Sequence, residues 1–313
     1  MIWLIGSGAM SVDYSKVLDA QNKDYLVIGR GLESAEDFQT KTGRKVITGG
    51  LYDYLNSKPL VAESAIVCVG VAQLYETTLC LINAGVKNIL VEKPGGITVE
   101  EVKTLEQQAA RTSSSVYIAY NRRFFSSVLT AIEKIKGEGG VTSFNFELTE
   151  WGHVIEKLDK PKEVLKKWFL ANSTHVADLA FFLGGKPKEM ASFTQGNLCW
   201  HPSGSIFSGA GISTEGALFS YNANWESAGR WSVEVLTKEN RYIFRPMEQL
   251  QVQKRGTIPI VNVDIDDTLD IKYKPGLYKQ VEAFLSSNKE LLCSVNEQLD
   301  MFQYYESMAG YTS

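Results

Sequence analysis

The sequence of 313 residues is poor in the side chains that build metal centres and disulfide frameworks. It holds four cysteines and three histidines. Cys68, Cys80, Cys199 and Cys293 form no C-x-x-C pair, and so few histidines argue against a structural zinc, so no metal is expected. Cys68 and Cys80 lie in apolar segments and read as small buried hydrophobes. No apolar stretch approaches the ~20 residues of a membrane helix. No basic run stands out among 32 basic and 36 acidic residues, a net charge of −4, which excludes a nucleic-acid coat. The opening M-I-W-L-I-G-S-G has no basic segment ahead of a short apolar run, so no signal peptide is predicted and a reducing cytoplasm is the expected location. What is present is ordinary globular material, 44% apolar and 22% charged, in a chain of a length that suits two domains.

The first part alternates apolar runs with helical stretches. Ile2–Ile5, Tyr25–Ile28, Ala65–Val69, Asn88–Val91 and Val116–Ala119 predict strands. Helices are predicted near 10–20, from Leu74 to a stop at Gly85, and from Thr98, where Glu101 three residues on completes a capping box. Strands apolar on both faces and separated by helices imply a parallel sheet covered on both sides. The period changes after about Tyr120. A helix near Ser126–Lys136 gives way to alternation of period two. Phe144, Phe146 and Leu148 face one way, and Asn145, Glu147 and Thr149 the other. Gly216–Trp225, Trp231–Leu236 and Tyr242–Phe244 follow suit, and helices near Leu277–Leu285 and Glu297–Met308 close the chain. The expectation is an α/β chain: a parallel-sheet domain over 1–119, then a domain over 120–313 on an open, mostly antiparallel sheet with one uncovered apolar face.

Gly6-Ser7-Gly8-Ala9-Met10-Ser11 stands between the first strand and the first helix. Gly6 permits the tight turn, Gly8 lets backbone approach a pyrophosphate, and the helix start offers free N–H groups to that anion. The second strand ends in Gly29-Arg30 and lacks the acid that usually meets the ribose of NAD. Arg30 suits a 2′-phosphate, so NADP is favoured over NAD. Gly70 and Tyr75 are further candidates for cofactor contact.

Glu92-Lys93-Pro94-Gly95-Gly96, with the preceding Asn83-Ala84-Gly85 to Val91, resembles the Gfo/Idh/MocA family, named for glucose–fructose oxidoreductase and inositol dehydrogenase. Tyr120-Asn121-Arg122-Arg123-Phe124 looks like the segment after that family's sixth strand. Asn172-Ser173-Thr174-His175-Val176-Ala177-Asp178-Leu179 looks like its catalytic helix. The likeness in motif order spans nearly the whole chain. It implies a Rossmann domain followed by an α+β domain with an open sheet, an active site between the two, and hydride exchange between NAD(P) and a hydroxyl of a sugar, cyclitol or sugar nucleotide. Carried over by position, Lys93 would bind the reacting oxygen and His175 would be the acid/base, with Glu92 beside the cofactor. Hydride leaves a carbinol carbon only as its hydroxyl proton departs, and histidine titrates in the right range for that work. A place in the first turn of a helix would favour the neutral imidazole. Asp178 lies on the same helix face and either orients His175 or is a structural acid. Asn121, Arg122 and Asn172 match positions that line the family's substrate cleft. Trp151 and His153 emerge from the first strand of the second domain and could join them. Relatives commonly form homodimers or homotetramers through the second sheet.

Two departures keep alternatives open. Many family members carry an aspartate four residues before the helix histidine, where this chain has Ala171, and Tyr75 stands where histidine is commoner. A dinucleotide-binding sensor or accessory protein would also fit. So would a relative that oxidises a sugar transiently to assist elimination or glycoside cleavage.

Overall fold

Strands without polar alternation need cover on both faces, and the computed structural model, which describes residues 1–311, supplies it. Two compact units emerge. The first comprises residues 1–121 and 270–300, the second 122–269 and 301–313. Residues 270–300, which the sequence reading left with the second unit, therefore belong to the first.

The first unit is a seven-stranded sheet of β1 (Ile2–Ile5), β2 (Tyr25–Ile28), β3 (Val46–Ile47), β4 (Ser64–Val67), β5 (Asn88–Glu92), β6 (Ser115–Ala119) and, from the returning segment, β15 (Cys293–Ser294). The order is β15-β6-β5-β4-β1-β2-β3. All pairs are parallel except β15 on β6. The strand order reverses beside β1, which places a ligand crevice beyond the carboxyl ends of β1 and β4. Helices α1 (Ala9–Ala20), α2 (Leu32–Thr42), α3 (Gly50–Asn56), α4 (Leu74–Asn83) and α5 (Val99–Thr112) connect the strands. The start of α5 follows from its sequence. Thr98 Oγ1 accepts from Glu101 N at 3.2 Å, and Glu101 Oε2 reaches back to Ile97 N at 2.7 Å, one residue earlier than a standard capping box would.

The second unit holds an eight-stranded sheet. Its strands are β7 (Ser143–Glu147), β8 (Pro187–Gln195), β9 (Ile206–Ser213), β10 (Leu218–Asn224), β11 (Ser232–Leu236), β12 (Asn240–Phe244), β13 (Gln251–Lys254) and β14 (Ile260–Asn262). The order is β14-β13-β12-β11-β7-β10-β9-β8, antiparallel except for β7 beside β10. Helices α6 (Ser126–Gly137), α7 (Gly152–Ile155), α8 (Lys162–Lys166) and α9 (Thr174–Gly184) belong with it. Alternation sends the large side chains to one face. Phe181 of α9 stands edge-on to Phe144, Phe146 and Phe219, with centroids 5.2–6.0 Å away. The opposite face corrects the expectation of an uncovered apolar surface. It presents Asn145, Ser208, Ala210, Ser220 and Asn222, and its larger apolar side chains include Phe193 and Leu218, exposed at the margins. A strict period of two spends the bulky residues on the α9 side, and small polar ones are left for the other.

Candidate active site

In the first unit, the loop from β1 to α1 turns through Gly6, whose φ is +118°. A Cβ there would lie 2.7 Å from the Cys68 carbonyl oxygen, so only glycine fits. At Gly8 a Cβ would meet nothing within 4 Å, which leaves that backbone open to a ligand. Ser7 is buried, and its Oγ shares a hydrogen bond of 2.9 Å with Ser34 Oγ. Ala9 and Met10 open α1. Gly29 is required by close approach, since a Cβ would stand 2.7 Å from Ser7 Oγ. A cavity of about 330 Å³ lies over these turns, lined by Gly6, Gly29 and Arg30 with Gly49, Gly50 and Tyr52. Gln73, Glu76 and Cys80 line it too. Gly70 and Tyr75 do not, although their neighbours Val69 and Gln73 do. The sequence reading missed Gly49–Gly50, Tyr52 and Glu76. The paired glycines after β3, both at positive φ, were the signal that could have found this wall. Glu76 puts a carboxylate on the lining, but from α4 and not from the end of β2. Ser7, Gly8, Ala9 and Met10 are not on the cavity wall but continue from Gly6, which is. A dinucleotide suits this arrangement: close-packed glycine turns, an open Gly8 backbone at a helix start, and Arg30 on the wall.

Lys93 follows β5 directly, in the cis Lys93–Pro94 turn at the carboxyl edge of the sheet. The turn is held from two sides. Gln298 Nε2 donates to the Pro94 carbonyl at 3.1 Å, and Gln298 Oε1 accepts from Tyr120 at 3.1 Å. Glu92 turns inward and accepts from the Tyr14 hydroxyl at 2.9 Å. Burial pushes its carboxyl up from the usual range, while Tyr14 and the charges of Lys93 and Lys274 pull the other way. Burial and the Glu92 charge raise the Tyr14 phenol well above its ordinary value, so it stays a donor. Glu92 thus braces the strand end from beneath. Cys68 beside Ser11 is pushed up to about 12 by burial and is an inert thiol. Asn121 is buried and donates to the Pro275 carbonyl at 2.9 Å, so its carboxamide ties down the returning segment.

In the second unit, His175 is nearly buried, at 8% exposure. It does not sit at a free helix start, contrary to expectation. Phe169–Ser173 form a wide π-helical turn that runs straight into α9, and Ser173 already has helical φ and ψ. The N–H groups that would create a positive end are part of continuous helix there, so the dipole argument fails at this position. The ring of His175 tilts against Trp231, centroids 6.2 Å apart. The guanidinium groups of Arg122 and Arg230 lie 4.7 and 4.5 Å from that same Trp231 ring. Arg230 also stands 4.8 Å from Trp151, whose indole N–H donates to the Gly229 carbonyl. Trp151 is half exposed, and with exposed His153 it lines a cleft of about 640 Å³. Asn172 donates to Glu150 at 2.9 Å. Asp178 forms a buried ion pair with Arg123, whose Nε and Nη2 lie 2.9 and 2.5 Å from its two oxygens.

Residues 2–120 match the model of the GFO_IDH_MocA family, described as an oxidoreductase family with an NAD-binding Rossmann fold. Over those residues the first unit is similar to the Rossmann domain of the Gfo/Idh/MocA oxidoreductase family. A curated relative is the scyllo-inositol 2-dehydrogenase (NADP(+)) IolW of Bacillus subtilis (strain 168), 29% identical over 128 residues, or 38% of this chain. The match spans about a third of that protein, 34% of its length. Among solved structures, levoglucosan dehydrogenase in complex with NADH and L-sorbose has a TM-score of 0.79 at 18% identity, covering 98% of this chain and 95% of the other. UDP-N-acetylglucosamine 3-dehydrogenase GnnA from Acidithiobacillus ferrooxidans has a TM-score of 0.73 at 14% identity, covering 97% and 94%. At such identities these two establish the shared fold. Among the described residues, no helix is long and apolar enough to cross a membrane, and no group of three or more histidine, cysteine or acidic side chains could hold a metal ion.

Proposed function

We propose that the chain is an NADP-dependent dehydrogenase or reductase acting on a ring hydroxyl or ketone of a sugar, cyclitol or sugar nucleotide. The observation that carries this reading lies in the first unit. Lys93 follows β5 at the same carboxyl edge of the sheet where the Gly6–Gly8 loop leaves β1 and Gly29–Arg30 follow β2. Gly6, Ser7, Gly8, Ala9 and Met10 would hold the pyrophosphate, and Gly29 and Arg30 the ribose 2′-phosphate. The bound dinucleotide supplies the hydride acceptor or donor.

Lys93 presents an ammonium to the reacting oxygen and stabilises the negative charge that develops on it. His175 takes the hydroxyl proton in the oxidation and returns it in the reduction. Asn172, Arg122, Trp151 and His153 are assigned to substrate contact. The names of the relatives favour a polyol ring, and the NADP dependence named for the B. subtilis relative agrees with Arg30. We place the protein in the cytoplasm as a homodimer or homotetramer. The flat face of Ser208, Ala210, Ser220 and Asn222 would be its contact surface, since small side chains let two sheets approach closely.

Lys93→Ala tests the assignment. Turnover should vanish while the dissociation constant for NADPH stays within about threefold, because the lysine interacts with the oxygen in the transition state and not with the phosphates. A mutant with wild-type rates on a substrate the wild type uses would refute the role.

A further inference from the structure

The π-helical turn that precedes His175 contains no acid, yet a carboxylate from another element is buried against it. Glu150 follows β7 and is 2% exposed. One oxygen accepts from two consecutive residues of the turn, Asn172 Nδ2 at 2.9 Å and Ser173 Oγ at 2.8 Å. The other faces Arg230 Nη1 at 3.5 Å. Arg230 in turn lies over the ring of Trp231, and Trp231 is the aromatic that His175 packs on. Glu150 is therefore connected to the imidazole along two paths, through the chain that carries it and through the ring that it rests against.

We propose that Glu150 is a positioning residue for His175 and Asn172. This rests on the catalytic reading given above. A buried carboxylate is retained only where donors repay its lost hydration. Here the donors are side chains of the turn and the arginine over Trp231. An apolar side chain would fill the same space, but it could not anchor a turn whose backbone is wound too wide for ordinary helical bonding. The charge orients Ser173 and Asn172 toward one oxygen and draws Arg230 onto the other. Asn172 and the imidazole, three residues apart, then keep one fixed relation.

The test uses the full-length protein, with Glu150→Gln to remove the charge at constant shape and Ser173→Ala to remove one anchor. With only three histidines, the imidazole nitrogen resonances of His175 can be assigned by comparison with His175→Gln. In both variants the His175 resonances should move while those of His201 hold. With scyllo-inositol and NADP as probe, kcat should fall about tenfold or more and KM for NADP should change less than threefold, the pattern of a misplaced catalytic group. Melting temperature should fall by only a few degrees. Unmoved His175 resonances in both variants would overturn the proposal, as would an unchanged kcat. A wild type that turns over no polyol would refute the catalytic reading, and the resonances would still decide whether Glu150 positions the ring.

Discussion

Gln298 reaches back across the sequence to Pro94, its Nε2 donating to the proline carbonyl at 3.1 Å while its Oε1 accepts from Tyr120. The side chain is fully buried, so nothing but protein satisfies these groups. Gln298→Leu leaves the Pro94 carbonyl without its side-chain donor and takes one acceptor from the Tyr120 hydroxyl. An orphaned buried carbonyl costs about 1–3 kcal/mol. The midpoint of urea unfolding should fall accordingly. Because the Lys93–Pro94 turn loses its brace, kcat should drop more than KM for the dinucleotide rises. Gln298→Glu tests geometry separately, since it keeps an acceptor for Tyr120 and loses the donor to Pro94.

Arg30 is exposed on the lining of the dinucleotide cavity, and no acid ends β2. NADPH should bind at least about tenfold more tightly than NADPH's counterpart NADH, the effect of one charge-assisted hydrogen bond. Arg30→Ala should remove most of that difference by weakening NADPH alone. Equal affinities in the wild type, measured by fluorescence titration, would refute the preference. A mutant weakened equally for both would mean that Arg30 stacks on the adenine and ignores the phosphate.

The strand-and-helix layout of the first unit was legible in the sequence, and its long-range ties were not. The strands at 2–5 and 25–28 and the helix at 277–285 lie where apolar runs and periodicity put them. The glycine loop was legible because steric demand at Gly6 leaves no other residue. The return of residues 270–300 to the first unit was not legible, because β15 is only two residues long and its partner β6 is far away in sequence. The π-helical turn before His175 was also hidden. Its residues, Phe-Leu-Ala-Asn-Ser, carry no signal that separates a π turn from ordinary helix, and Glu150, which bonds its last two residues, lies far away in sequence.

Asp178 and Arg123 form an ion pair buried on both sides, at 2% and 3% exposure. Removing one partner leaves a charge in the interior, which costs about 3–5 kcal/mol. Arg123→Met should therefore lower the unfolding free energy by that order. Asp178→Asn should destabilise as well, because the guanidinium keeps its charge. If Asp178 instead oriented His175, Asp178→Asn would reduce kcat with little loss of stability, and the comparison of melts with rates separates the two.

His201 is fully buried, with Nδ1 2.8 Å from the Gly204 carbonyl and Nε2 2.8 Å from the Tyr311 hydroxyl, which itself accepts from Phe169 N. Burial lowers its pKa from 6.5 to about 4. The unfolded chain then binds a proton between pH 6.5 and 4 that the folded chain refuses. This contribution to stability is complete above pH 6.5 and declines as pH falls toward 4. It is worth up to ~3 kcal/mol. Urea midpoints at pH 4.5 and 7 should differ more in the wild type than in His201→Gln. A parallel pH dependence in the two would show that the ring is not held neutral.

The proposed reaction is hydride exchange between NADP and a ring carbon bearing oxygen. Ring-deuterated scyllo-inositol, levoglucosan and UDP-N-acetylglucosamine, each incubated with the protein and NADP, test it most directly through the mass of the dinucleotide recovered. The account predicts that at least one of them yields reduced dinucleotide carrying the substrate's deuterium, and that Lys93→Ala yields none. Reduced dinucleotide without deuterium, or none with any of the three while NADP binds tightly, would contradict it.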